Sequence, residues 1–144
     1  MAVSTALTNR FKEYILNADI DMAAATINMA LYNGSSHTVN TTIYSATAEV
    51  SGTGYTAKGK VMASVAIAVD TSNNVAYVDW ADVSWTSSTI TATDILVFAD
   101  SVTSPANDPS IGIFDFGGSR SSLSGTFLVT LPAATFSTAL VRLA

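Results

Sequence analysis

The chain has 144 residues, enough for one domain with a real hydrophobic core. A net charge of −5 and only six basic residues, with Lys58 and Lys60 read as solvated loop charges, argue against a phosphate-backbone binder. Hydrophobic residues make up 49% and charged residues 12%, with a mean hydropathy of +0.38. Yet no apolar run approaches the roughly 18 residues of a spanning helix, so neither nucleic acid nor membrane is an expected partner.

Ala, Val, Ile and Thr raise the hydropathy, a mixture that suits a pleated sheet. A β protein this poor in charge is expected to hide apolar surface in an oligomer or assembly. With no cysteine, disulfides and thiolate metal sites are excluded. The first dozen residues lack a basic start and an apolar segment, so they read as no secretory signal, and synthesis in the cytoplasm is expected.

Leu7, Phe11, Tyr14, Ile15 and Ala18 fall on one helical face, which predicts a helix over 5–17 capped by Ser4 or Thr5. Residues 1–22 are taken as a helical arm and 23–144 as the rest of a single domain. From residue 25, Ile27, Met29 and Leu31 alternate with Thr26, Asn28 and Ala30, as in a strand with one buried face. Asn33-Gly34 ends that strand in a tight turn. Residues 35–45 read as an extended, hydroxyl-rich loop with a short edge strand near 41–44. Residues 47–60 form a glycine-punctuated, projecting loop. It leads into 61–69, which is apolar at both alternations and so predicts a central strand buried on both faces.

Residues 70–74 are turn chemistry, and 75–80 return antiparallel to the strand before them. Further strands are expected at 89–93 and 95–99. A proline-bearing surface loop covers 101–110. Strands follow at 111–116, stopped by Gly117-Gly118, at 125–131, stopped by Pro132, and at 138–143. One helix and seven or eight strands at regular intervals predict a mainly β fold, an antiparallel β-sandwich or jelly roll with one short N-terminal helix.

Chemistry-bearing residues are sparse. His37 is the one histidine, and Ser36 and Thr38 beside it make no catalytic triad. Asp79 and Asp82 can serve acid–base chemistry or a metal, but they are read instead as a turn whose carboxylates accept backbone N–H bonds. Asp19 and Asp21 lack the rest of a calcium loop, and Gly52-Thr53-Gly54-Tyr55 lacks the ending and the following helix of a phosphate loop. Its glycines are read as allowing positive φ. Trp80, Trp85, Tyr77 and Phe98 could make a sugar platform, but at strand spacing they are read as core or subunit interface. No cofactor, metal or catalysis is expected.

Several stretches form an ordered series: Ile27-Asn28-Met29-Ala30-Leu31-Tyr32, Glu49-Val50-Ser51-Gly52-Thr53-Gly54-Tyr55-Thr56-Ala57-Lys58-Gly59-Lys60, and Val75-Ala76-Tyr77-Val78-Asp79-Trp80 with its extension to Trp85. Phe114-Asp115-Phe116-Gly117, Gly125-Thr126-Phe127-Leu128-Val129 and Leu140-Val141-Arg142-Leu143 complete the series. Taken together, they resemble a family of small virion structural proteins of tailed bacteriophages. Thr93-Asp94-Ile95-Leu96 departs from it, standing where the family often has arginine, glycine and alanine.

The resemblance implies a non-enzymatic capsid decoration (cement) protein on the phage head. Its partners would be the major capsid protein and further copies of itself, a trimer first among the symmetries. Phe11 and Tyr14 of the arm and Gly52, Gly54, Tyr55, Lys58 and Lys60 of the loop are the candidate contact residues. The alternatives are a tail fibre or adaptor subunit, and a carbohydrate-binding sandwich using Trp80 or Trp85.

Overall fold

Two antiparallel sheets and one short helix make the fold, described for residues 5–144 in a computed structural model. In chain order the elements are β1 (Ala6–Leu7), α1 (Asn9–Leu16), β2 (Ile27–Tyr32), β3 (Lys60–Val61), β4 (Ala66–Asp70), β5 (Val75–Asp79), β6 (Val83–Ala99), β7 (Ser110–Val129) and β8 (Val141–Leu143). The larger sheet has the order β1-β7-β6-β2-β3, and the smaller one β4-β5-β8.

The helix starts later than its apolar spacing predicts. Ala6 and Leu7 pair with Ile113 and Gly112 of β7, so their backbone belongs to the sheet. Thr8 then caps α1, its hydroxyl accepting from the Phe11 amide at 3.2 Å. Of the predicted caps, Thr5 instead accepts from the Asp115 amide, and Ser4 lies outside the described residues. Phe11 and Tyr14 face the core. Ala18 takes the left-handed conformation (φ 61°) that glycine usually supplies at a helix end, and the Asp19 amide reaches back to the Tyr14 carbonyl.

Strands β6 and β7 form one long antiparallel ribbon at the centre of the larger sheet. Residues 89–93 and 95–99, expected as two strands, are consecutive parts of β6. Gly117 and Gly118 do not stop β7. Ala92 pairs with Arg120 and Asp94 with Asp115, so residues 116–119 bulge opposite Thr93 and the ladder resumes beyond them.

Two burial expectations are exchanged. Strand β2, expected to bury one face, is buried throughout. Ile27, Met29 and Leu31 join a core shared with α1 and with Val78 and Val141 of the smaller sheet. On the opposite face Ala30 and Tyr32 meet Leu96, Phe98 and Ile113, with Tyr44 stacked on Phe98 at 4.8 Å between centroids. Each such aliphatic side chain removed from water contributes about 1.5–3 kcal/mol.

The 61–69 segment, expected at the centre, lies at the margin instead. It divides into β3 and β4, and Val61, Val65, Ile67 and Val69 are exposed. An unbroken apolar run is compatible with a buried strand or with an uncovered edge, and neighbours distant in sequence decide which. The β4–β5 hairpin follows the predicted pairing, with Ile67 opposite Val78 and Val69 opposite Ala76.

Candidate functional site

Strand β2 needs partners along its outer edge, and only part of that edge is met by a strand. β3 pairs with Asn28 and Met29, and the Met62 amide donates to the Ile27 carbonyl. Further along, the Val50 amide donates to the Leu31 carbonyl, while the Leu31 amide donates to the Tyr55 hydroxyl at 2.9 Å. The Asn33 amide closes the row on the Ala48 carbonyl. The glycine-punctuated segment therefore lies along the sheet edge and does not project from it. A side chain stands in for a missing strand, satisfying a buried amide that would otherwise be costly.

Glu49 organises this segment from within. Its carboxylate accepts from Tyr44 (2.5 Å), Tyr55 (2.8 Å) and the Lys58 amide (2.7 Å). Burial pushes the Tyr55 phenol well above its usual range, and burial followed by the Glu49 hydrogen bond pushes Tyr44 up to about 12. Lys58 Nζ binds Asp100 at 2.7 Å and Asp108 at 2.8 Å, and these two bonds raise its pKa. Lys60 Nζ donates to the Ser84 carbonyl at 2.6 Å.

Of the predicted contact residues, Gly52, Gly54, Tyr55, Lys58 and Lys60 are thus brought together, but the polar groups among them bind within the chain. Gly59 is required by close approach: φ is +67° and a Cβ would stand 1.9 Å from the Met29 carbonyl oxygen. Phe11 and Tyr14 are buried in the chain's own core.

A second polar cluster was not foreseen in the sequence. Asp94, fully buried in β6, accepts from Ser35 Oγ at 2.5 Å and from Thr93 Oγ1 at 2.7 Å. His37 Nδ1 stands 3.5 Å from the same oxygen that Ser35 reaches, long for a hydrogen bond, and its ring lies edge-on to Tyr32. Burial acts to raise the Asp94 pKa, but His37, Ser35 and Thr93 together outweigh it and hold it below the ordinary carboxylate value. Ser, His and Asp meet here without the geometry of a catalytic triad. Ser35 donates directly to the carboxylate, so the imidazole is not placed to take its proton.

The remaining candidates are structural in their contacts. Asp79 Oδ1 accepts from the Trp80 amide at 2.9 Å and Asp82 Oδ1 from the Leu131 amide at 2.8 Å. Asp21 Oδ1 accepts from the Ala23 amide at 2.9 Å. Trp80 and Trp85 are buried, so neither offers a ring face to a sugar. Among the described residues no three His, Cys, Asp or Glu side chains gather to hold a metal ion, and no helix is long and apolar enough to cross a membrane.

The surface feature that sequence reading missed is the exposed apolar face of the smaller sheet. In register, Ile67 lies beside Val78 and Val141, and Val69 beside Ala76 and Leu143. Part of this face covers the core, leaving an apolar cleft of about 260 Å³ against Phe11, Ile15, Ile20 and Met22. Ile67, Val69 and Leu143 at its margin are 53%, 66% and 43% exposed, unusual for aliphatic side chains clustered on one sheet face. No family model matches the chain, and no curated protein or solved structure matches it either.

Proposed function

We propose that this chain is a bacteriophage virion structural protein, a capsid decoration protein that binds the outer head shell and ties major capsid protein subunits together. The observation that carries the reading is the ordered series of motifs from Ile27 to Leu143. The two sheets are read, from the number and regular spacing of the strands, as a sandwich of the jelly-roll kind. The chemistry supports a protein that acts by contact: the Glu49, Lys58 and Asp94 groups are engaged in internal hydrogen bonds, while Val61, Val65, Ile67 and Val69 stand exposed. Such apolar surface gains free energy when another protein removes it from water.

Purified shells lacking the chain should bind it on co-sedimentation, and shells carrying it should resist heat better than stripped ones. Failure to co-sediment with shells removes the proposal. A tail fibre or adaptor subunit is the second reading, since an assembly subunit of either kind needs a stable β scaffold with contact surface. Immunogold label on tails, with heads bare, would select it.

A further inference from the structure

We infer that β4 is a self-association edge, at which two copies of this chain pair antiparallel about a two-fold axis to make one continuous six-stranded sheet. The inference does not rest on the virion reading. It begins from the edges of the two sheets. The larger sheet ends in β1 and β3, each two residues long, and β2 beyond β3 is closed by Tyr55, Val50 and Ala48. Short or covered edges of this kind resist pairing with other chains. In the smaller sheet β8 is three residues long, whereas β4 has five, pairs on one side with β5, and makes no backbone bond on the other among the described residues.

β4 also lacks the devices that keep an exposed edge single. Ala66-Ile67-Ala68-Val69-Asp70 has no proline and no lysine, and its register with β5 runs without a bulge. Its one charge, Asp70, is turned into the hairpin, where it accepts from the Ser72 and Asn73 amides at 2.9 Å each.

The sequence of β4 is complementary to itself. With Ala68 opposite its own copy, Ile67 meets Val69 of the second chain, and Asp70 meets Ala66. The two Asp70 carboxylates then sit four positions apart along the strand, about 13 Å at the strand rise. That exceeds the screening length of about 8 Å at physiological salt, so repulsion does not oppose the pairing. On the apolar face each row becomes continuous: Val141, Val78 and Ile67 of one chain run into Val69, Ala76 and Leu143 of the other. The self-complementary patch is what an isologous two-fold contact requires, and a β4–β4 contact closes with two chains.

The test uses the full chain. Sedimentation velocity should show a concentration-dependent dimer for the native sequence. The double variant Ile67→Lys, Val69→Lys, at positions already exposed, should sediment as a monomer while keeping the native circular dichroism spectrum. Because the chain has no cysteine, Ala68→Cys supplies a register-specific reading. Directly opposed residues of an antiparallel pair lie about 4.5–5.5 Å apart between Cα atoms, within the span a disulfide bridges. Oxidised Ala68→Cys should therefore run as a covalent dimer, and Ser72→Cys in the turn should not.

A native chain that stays monomeric, or forms a trimer, overturns the inference, as does a dimer unaffected by the lysines. If the native chain is monomeric and the lysine variant loses shell binding, the face belongs to the shell and the self-pairing is wrong. Shell co-sedimentation of the native chain is scored separately, so the two proposals can fail independently.

Discussion

Replacing Tyr55 by phenylalanine isolates the hydroxyl that stands in for a strand. The ring would keep its stacking on Trp85, 5.9 Å between centroids and 28° between planes. Two bonds would be lost, the one donated to Glu49 and the one accepted from the Leu31 amide. Glu49 retains Tyr44 and the Lys58 amide, so the larger cost falls on Leu31, whose side chain and backbone are sealed from solvent. A buried amide left without a partner costs about 1–3 kcal/mol, and the expected loss for Tyr55→Phe is about 2 kcal/mol.

With a urea slope of about 2 kcal/mol/M, that loss lowers the unfolding midpoint by about 1 M at an unchanged slope. Buried Trp80 and Trp85 provide the fluorescence signal. The Leu31 amide should also exchange its hydrogen faster in the variant. Tyr44→Phe removes a bond to the same carboxylate but strands no backbone group, so it should cost less. An unmoved midpoint for Tyr55→Phe, or a larger effect for Tyr44→Phe, would refute the view that this segment serves to close the β2 edge.

Gly59→Ala should be more severe than an ordinary glycine substitution, because a positive φ and the Met29 carbonyl 1.9 Å from the new Cβ oppose it together. A loss of several kcal/mol, or no soluble protein, is expected, and a thermal midpoint equal to the native one would count against the close approach. Asp94→Asn should cost about 1–3 kcal/mol near neutrality by weakening charge-assisted bonds from Ser35 and Thr93. Since the folded Asp94 pKa is depressed, its stabilisation is present above the unfolded value near 4 and is lost as pH falls through the lower folded value. The variant should therefore show a shallower acid limb in stability measured against pH, and an identical limb would remove Asp94 from the account. On the alkaline side Tyr44, raised to about 12, and Lys58, also raised, hold their protons more tightly when folded. Their contribution is complete below pH about 10 and is lost as pH rises through the folded values. Denaturation midpoints should fall above pH 10, less so in Tyr44→Phe.

Local chemistry was legible in the sequence wherever neighbours in the chain decide it. The amphipathic spacing of Phe11, Tyr14 and Ile15 located α1, and the Asp70 to Asn74 cluster located the β4–β5 turn. The mainly β class followed from branched residues and regular punctuation, and two antiparallel sheets with one helix match it. What alternation can state is that a residue is apolar. It cannot state how many of its sides another segment will cover.

That is why β2 and the 61–69 segment exchanged places. Covering β2 takes Phe98 and Ile113 from distant strands and Tyr44 from the 35–45 loop, whereas no segment covers Ile67 and Val69, which stay more than half exposed. For the same reason the glycines of residues 52–59 signalled backbone freedom without showing its use, which is to bring Gly59 against Met29 and Tyr55 onto Leu31. The meeting of Ser35 and Asp94, 59 positions apart, also left no local signal. The sequence by itself determined the kinds of element and their turns, because those depend on residues within a few positions. Only tertiary structure decided which edges are closed and which apolar face stays open, because both depend on what the rest of the chain brings alongside.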